Sequence, residues 1–277
     1  VLDAIKKGSK IIISEKKISK VRNGILFINT KNIRKLLAEV SFKIYSKRPK
    51  NLIAVTGTNG KSSIADFYYQ ILKFNNIKVA SIGTLGVKSD KININLSNTT
   101  INPIELGKIL NKLKDQNIDN VIMEASSHGL KQNRLDGLKF NSGIFTNLSQ
   151  DHLDYHKNLK NYLKAKLYLF ENLIKKKGNV ITDSNIPEFE KIKKITENKS
   201  LILYPIDNEK NDFKILSHSF NGDKQVLKIK IKSSVREINL NLIGKIQLKN
   251  ILMAIIAAKK SNININRILK VVSKLKS

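Results

Sequence analysis

The chain has 277 residues, 41% of them apolar, enough to build one large or two modest cored domains, which excludes intrinsic disorder. It has no cysteine, which excludes disulfides, thiolate metal sites and cysteine nucleophiles, and no window reaches the roughly 18 uninterrupted apolar residues of a membrane span, so a cytoplasmic protein without membrane insertion is expected. The net charge of +29 would suggest an anionic partner, but it comes from 45 Lys and only 6 Arg alongside 41 Ile and 32 Asn, a joint excess that reads as drift toward A/T-rich codons rather than a nucleic-acid surface.

Two short apolar runs, Ile11 to Ile13 and Ile25 to Ile28, precede a helix expected from Asn32 to Tyr45, and Arg48-Pro49 makes a boundary because the residue before proline is biased away from helix. Beyond it, apolar runs of about five residues alternate with helix-period segments, the pattern of an α/β protein with a mostly parallel sheet. Strands are predicted at Asn51 to Thr56, Val79 to Gly83, Asp119 to Glu124 and Gly143 to Asn147. Helices are predicted at Ser62 to Phe74, at Pro103 to Asn117 with proline in its first turn, and at Leu159 to Ile174. Lysines at Lys175 to Lys177 and around Lys191 to Lys194 read as solvated surface. From Phe213 to Ile243 the period changes to alternation: Leu227, Ile229 and Ile231 interleave with Lys228, Lys230 and Lys232, and Ile238, Leu240 and Leu242 with Asn239 and Asn241. That pattern predicts a small antiparallel sheet with one wet face. Helices from Leu248 to Lys260 and from Ile265 to Leu275 close the chain.

Between the first strand of the main part and its helix stands TGTNGKSS. Strand, glycine-rich turn and helix start together aim backbone N–H groups at phosphate oxygens. Gly57 and Gly60 permit the turn, Lys61 supplies a point charge, and the Ser62 hydroxyl is suited to Mg²⁺. The loop is shorter than the general phosphate-loop pattern, because Val55 stands where that pattern has its first glycine; an ordinary glycine turn is the plain alternative.

Glu124 ends the run VIME, where a carboxylate at the carboxyl edge of a parallel strand faces the same crevice as the loop and complements a phosphate-bridging Mg²⁺; capping the next turn is the alternative. NLSQDHLDYH packs Asp151, His152, Asp154 and His156 into six positions, a density suited to metal or phosphate. Lys166 is unusual. On a helical wheel Lys157, Lys160, Asn161 and Lys164 share a polar face, whereas Lys166 falls opposite, among Leu159, Tyr162, Leu163, Phe170 and Leu173. An unpaired ammonium there is costly, which leaves snorkelling, a buried acid partner or modification of a neutral amine.

GTNGKSS, SNTT at Ser97 to Thr100, MEASSHGLKQNR at Met123 to Arg134, FTNLSQDHLDYH and YLKAKLYLF together resemble the Mur ligases of peptidoglycan synthesis, in the order and spacing of the MurE type, over essentially the whole chain. The resemblance implies an ATP- and Mg²⁺-dependent ligase that adds the third amino acid of the stem peptide to UDP-N-acetylmuramoyl-L-alanyl-D-glutamate through an acyl phosphate. Its partners would be that muramoyl-dipeptide and a free amino acid, and it is expected to be a monomer. By motif, Gly57, Thr58, Asn59, Gly60, Lys61, Ser62 and Ser63 fall on the ATP phosphates, Ser62 and Glu124 on one Mg²⁺, and Glu124, His152 and Lys166 around a second, with Lys166 as a carbamate. Lys61, Glu124, His152 and Lys166 are thus the implied catalytic group. Asn98, Thr99, Thr100, Ser126, Gln132 and Arg134 match positions that contact the muramoyl-dipeptide. On the adenine side Asn250 matches the family's second asparagine, but Ile246 and Gln247 replace the preceding aromatic or histidine and asparagine.

The resemblance also implies a division into a remnant of a uridine-binding domain over residues 1–48 and the ATP-binding domain over 49–277, with the ligase's C-terminal domain absent and no ligation by this chain alone; the choice between diaminopimelate and lysine is then not legible. Two other readings compete. A folylpolyglutamate synthase-like ligase shares the phosphate loop but would not be expected to carry SNTT or SSHGLKQNR. A basic nucleic-acid-binding protein with a vestigial loop would need clustered arginines or aromatic platforms, and no such cluster stands in the sequence.

Overall fold

The computed structural model describes residues 1–17, 21–22, 24–206, 213–221, 224–231, 234–240 and 245–276. A short helix α1 (Leu2–Lys6) precedes β1 (Ile11–Ser14), β2 (Val21–Arg22) and β3 (Ile25–Asn29), which form a small sheet in the order β1-β3-β2. The two early apolar runs become parallel neighbours, with Ile11 beside Leu26 and Ile13 beside Ile28. Helix α2 (Ile33–Ile44) starts where Asn32 caps it, Oδ1 accepting from Lys35 N at 2.9 Å. Its Ala38 and Phe42 are buried in the core of the main body.

The main body runs through β4 (Asn51–Thr56), α3 (Lys61–Phe74), β5 (Val79–Gly83), β6 (Gly86–Lys88), β7 (Asn93–Ile94), α4 (Pro103–Asp115) and β8 (Asn120–Glu124). It continues with α5 (Ser127–Lys131), β9 (Phe140–Phe145), α6 (Leu153–His156), α7 (Leu159–Tyr168), β10 (Ile174–Asp183), α8 (Phe189–Asn198) and β11 (Ile202–Ile206). Its eight strands lie in the order β11-β10-β9-β4-β8-β5-β6-β7, parallel from β11 to β5 and antiparallel at the β6-β7 edge. Leu52 to Val55 are all buried, as a strand covered on both faces requires. From β4 the chain crosses to β5 on one side and later returns to β9 on the other, so the carboxyl end of β4 is the topological switch point where open α/β sheets bind ligands.

The alternating segment becomes β12 (Phe213–Asn221), β13 (Lys224–Ile231) and β14 (Ser234–Leu240), an antiparallel sheet followed by α9 (Lys245–Lys260) and α10 (Ile265–Val272). Leu227, Ile229, Ile231, Ile238 and Leu240 are buried with α3, α9 and α10 on one face of the large sheet, while α2, α4 and α7 cover the other. Among the described residues no helix is long and apolar enough to cross a membrane. Of the expected alternation, Lys232, Asn241, Leu242 and Ile243 lie outside the described residues, as does Gly244.

Two expectations need correction, the span of the helix from Leu159 and the burial of Leu159 itself, whereas both lysine runs are solvent-exposed as expected. The helix predicted from Leu159 to Ile174 ends at Tyr168, a π-helical turn covers Leu169–Leu173, and Ile174 already opens a strand. Lys175 to Lys177 are exposed but belong to β10, whose pairing with β9 shifts register between Ile174 and Asn179; this irregularity carries the three lysines outward and hides the strand's apolar pattern. Lys191 to Lys194 lie on α8, with Ile192 buried among them. Leu159, expected on the buried face of its helix, is 41% exposed.

Candidate active site

The glycine-rich turn leaves β4 at the switch point and ends where α3 begins. Gly57 has φ +142°, and a Cβ there would stand 1.8 Å from Thr146 Oγ1; Gly60, at φ +85°, would place one 2.7 Å from Asn250 Oδ1. At these two positions the loop is therefore wedged between the segment after β9 and helix α9, with no room for a side chain. Asn147 holds it from one side: its carbonyl accepts from Thr58 N at 2.9 Å and its Oδ1 from Asn59 N at 3.1 Å. Lys61 Nζ folds back and donates to the carbonyls of Gly57 at 3.0 Å and Thr58 at 2.7 Å. Burial lowers its pKa, against the opposing fields of Glu124 and Asp151.

Glu124 ends β8, in register with Val55 of β4, and is 3% exposed. Its Oε1 accepts from Ser62 Oγ at 2.9 Å and from Thr84 N at 3.0 Å, and its Oε2 from Thr84 Oγ1 at 3.2 Å. Only glycine fits at position 83, since a Cβ there would lie 2.3 Å from Glu124 Oε1. The Glu124 backbone carbonyl accepts from Thr100 Oγ1 at 2.9 Å, and Thr100 Oγ1 in turn accepts from Ser126 N at 2.9 Å. The SNTT and SSHGLKQNR stretches are thereby stitched together behind the carboxylate.

Lys166 is 1% exposed, so the amine does not snorkel. Its Nζ donates to the Gly57 carbonyl at 2.6 Å and lies 4.1 Å from the centroid of the Tyr162 ring. Burial and then the Lys61 charge push its pKa down to about 7, with Asp151 opposing. His152, in the left-handed region at φ 51°, pairs with Asp151 at 3.3 Å and packs edge-on against His128, ring centroids 5.0 Å apart. His156 is fully buried; its Nε2 meets Ser127 Oγ at 3.0 Å, and burial, with the cations around it, lowers its pKa to about 4.

A cleft of about 300 Å³ joins Thr58 to Ser63 with Glu124, Thr99, Ser126, His152 and Lys166. Asn98 is exposed beside it, its Nδ2 donating to Ser97 Oγ at 3.2 Å. Gln132 and Arg134 are not in its wall but pair with each other, Arg134 Nε donating to Gln132 Oε1 at 3.0 Å, while Arg134 Nη1 reaches the Thr100 carbonyl. Asn250 lines a second cavity of about 310 Å³ that meets the loop at Asn59 and is walled by Ile186, Ile246 and Met253 and by the Asp183–Lys249 ion pair. Sequence reasoning missed Thr84, Asn147, Ser127 and Tyr162. The first three are small polar residues in loops or at a helix start, and Tyr162 reads as core; a polar residue at the carboxyl end of each parallel strand was the signal available for Thr84 and Asn147.

Among the described residues no group of three or more His, Asp or Glu side chains is placed to hold a metal ion. Ser62 and Glu124 instead offer two hard oxygen atoms next to a phosphate cradle. That donor set fits Mg²⁺, which keeps water and phosphate oxygens as its remaining ligands.

Residues 55–258 match the Mur ligase middle domain. The chain is 38% identical over 264 residues to the UDP-N-acetylmuramoyl-L-alanyl-D-glutamate–2,6-diaminopimelate ligase of Rickettsia conorii, covering 93% of this chain and 54% of that protein. Against the Rickettsia bellii protein of the same name it is 35% identical over 294 residues, covering 100% of this chain and 58% of that one. A solved structure of a ligase so named superposes with TM-score 0.86 at 25% identity, over 99% of this chain and 56% of the other. MurF from Thermotoga maritima in complex with ADP shares the fold, with TM-score 0.68 at 16% identity over 99% of this chain and 59% of that one. The chain spans a little over half the length of these relatives.

Proposed function

The chain belongs to the Mur ligase family, and from that premise we propose that it forms the ATP-handling core of a MurE-type ligase, which joins an amino acid to UDP-N-acetylmuramoyl-L-alanyl-D-glutamate in the cytoplasm. The relatives' names supply the substrate class. The observation that carries the reading is the contact of Ser62 Oγ with Glu124 Oε1 at 2.9 Å, at the mouth of a phosphate cradle on the sheet's switch point.

In this reading the loop N–H groups and Lys61 hold the triphosphate while the acceptor's terminal carboxylate enters past Thr99 and Ser126. Carboxylate oxygen attacks the γ-phosphorus, ADP leaves, and an acyl phosphate forms; the incoming amine then attacks the acyl carbon, loses a proton, and the tetrahedral intermediate expels phosphate. Mg²⁺ held by Ser62 and Glu124 would neutralise charge on the phosphate oxygens. Buried as it is, Lys166 is suited to carry a carbamate, which would turn a cation into an oxygen donor beside His152. The second cavity is the space left for the base and ribose, with Asn250 against the loop and apolar walls for the ring.

Positional isotope exchange tests the acyl-phosphate step. With ATP carrying ¹⁸O in its β,γ-bridge, scrambling into the β-nonbridging positions is expected only when UDP-N-acetylmuramoyl-L-alanyl-D-glutamate is added. Scrambling without acceptor, or with a folate in its place, would move the activity to another ligase class.

A further inference from the structure

Thr84 follows β5 in the run SIGTLGV, and no charge or motif marks it. It is exposed to the cleft, yet it makes three polar contacts there. Its N–H donates to Glu124 Oε1 at 3.0 Å, its Oγ1 lies 3.2 Å from Glu124 Oε2, and the same Oγ1 lies 3.0 Å from Thr99 Oγ1. The direction of the chain follows from donor inventory. A carboxylate only accepts, so the Thr84 hydroxyl spends its one proton on Glu124 and must accept from Thr99. Ser62 donates to the other carboxylate oxygen.

Four side chains thus form one directed line: Thr99 to Thr84 to Glu124, with Ser62 closing it from the phosphate loop. Thr84 fixes both oxygens of the carboxylate, one through its backbone and one through its hydroxyl. An Mg²⁺ ion that takes Glu124 as ligand would replace the Ser62 hydrogen bond, leaving Thr84 to orient the carboxylate. Such outer partners of a ligating carboxylate set metal affinity as strongly as many ligands do.

We propose that Thr84 is the positioning residue of Glu124, and that Thr99, on the loop expected to meet the acceptor, reaches the metal carboxylate only through the Thr84 hydroxyl. This rests on the Mg²⁺-nucleotide reading of the cleft. It adds that the Thr99 side chain is coupled to the Glu124 carboxylate, and so to the phosphate loop, through the Thr84 hydroxyl, beside the bond from Thr100 to the Glu124 backbone carbonyl.

The test is the affinity of a non-hydrolysable ATP analogue, measured calorimetrically and read as the ratio of the dissociation constant without Mg²⁺ to that with it. In Thr84→Val the ratio is expected to fall about tenfold, and Thr84→Ser, which keeps the hydroxyl, to restore most of it. Thr99→Val is expected to lower the ratio a few-fold when Thr84 is present and to change nothing when Thr84 is already valine. Because position 84 is exposed, thermal melting of each variant is expected to stay close to that of the parent. An unchanged ratio in Thr84→Val overturns the positioning role, and additive losses in the double variant overturn the relay. An unsubstituted chain that binds the analogue without any Mg²⁺ effect removes the metal reading itself, and the inference with it.

Discussion

Lys61 and Lys166 share one acceptor: both amines donate to the Gly57 carbonyl, from 3.0 and 2.6 Å. One belongs to the phosphate loop, the other to a helix more than a hundred residues later, and each stands in the other's field. With burial acting first, that repulsion helps bring Lys166 to a pKa of about 7, far below an ordinary lysine. The pairing makes the loop a site short of negative charge, which a triphosphate would supply.

This neutrality leads us to predict carbamylation of Lys166, since carbon dioxide adds to a free amine with loss of a proton. At pH 8 about nine-tenths of an amine with that pKa is neutral. With ¹³C-labelled carbon dioxide, a protein carbamate signal is expected to rise through pH 7 and to be absent in Lys166→Arg. Lys61→Met removes the repulsion, raises the Lys166 pKa and is expected to shift the onset to higher pH. A signal that persists in Lys166→Arg would assign the carbamate elsewhere.

Gly57→Ala is expected to fail structurally. The new Cβ would overlap Thr146 Oγ1 and the backbone would be held at φ +142°, so a stability loss of roughly 2 kcal/mol or more is expected in urea denaturation. A loss under about 0.5 kcal/mol would show that the loop is not wedged as described.

His156 contributes a pH dependence whose sign follows from its lowered pKa. Between its ordinary 6.5 and about 4, the unfolded chain binds a proton there that the folded chain does not, so stability falls as pH drops through that window. From pH 7 to pH 4.5 the loss from this group is about 2 kcal/mol, and His156→Leu is expected to shed that part of the acid sensitivity. Parallel stability–pH curves for the two proteins would contradict it.

The phosphate loop was legible because strand, glycines, lysine and helix are contiguous, and Lys166 because its position on a wheel conflicts with its charge. Other parts of the site are assembled from distant segments by uncharged residues. Thr84 carries no pattern of its own, and β10 is concealed by three lysines at its register shift. The departure at Ile246 and Gln247 acquires a meaning only in three dimensions: Gln247 Oε1 accepts from Asn250 Nδ2 at 3.1 Å, and Ile246 walls the second cavity. The ion pair of Asp183 and Lys249 joins the end of a strand to a helix 66 residues on, a proximity that no local spacing encodes.

Binding of Mg²⁺ and ATP in this cleft through Lys61 is the property on which every assigned role in the site depends. Calorimetry with a non-hydrolysable ATP analogue and Mg²⁺ is expected to give saturable binding at one site per chain, weakened on the order of a hundredfold in Lys61→Ala, because the ammonium's bonds to phosphate are charge-assisted. Equal affinity in Lys61→Ala with the fold intact, or no binding to the unsubstituted chain, would contradict it.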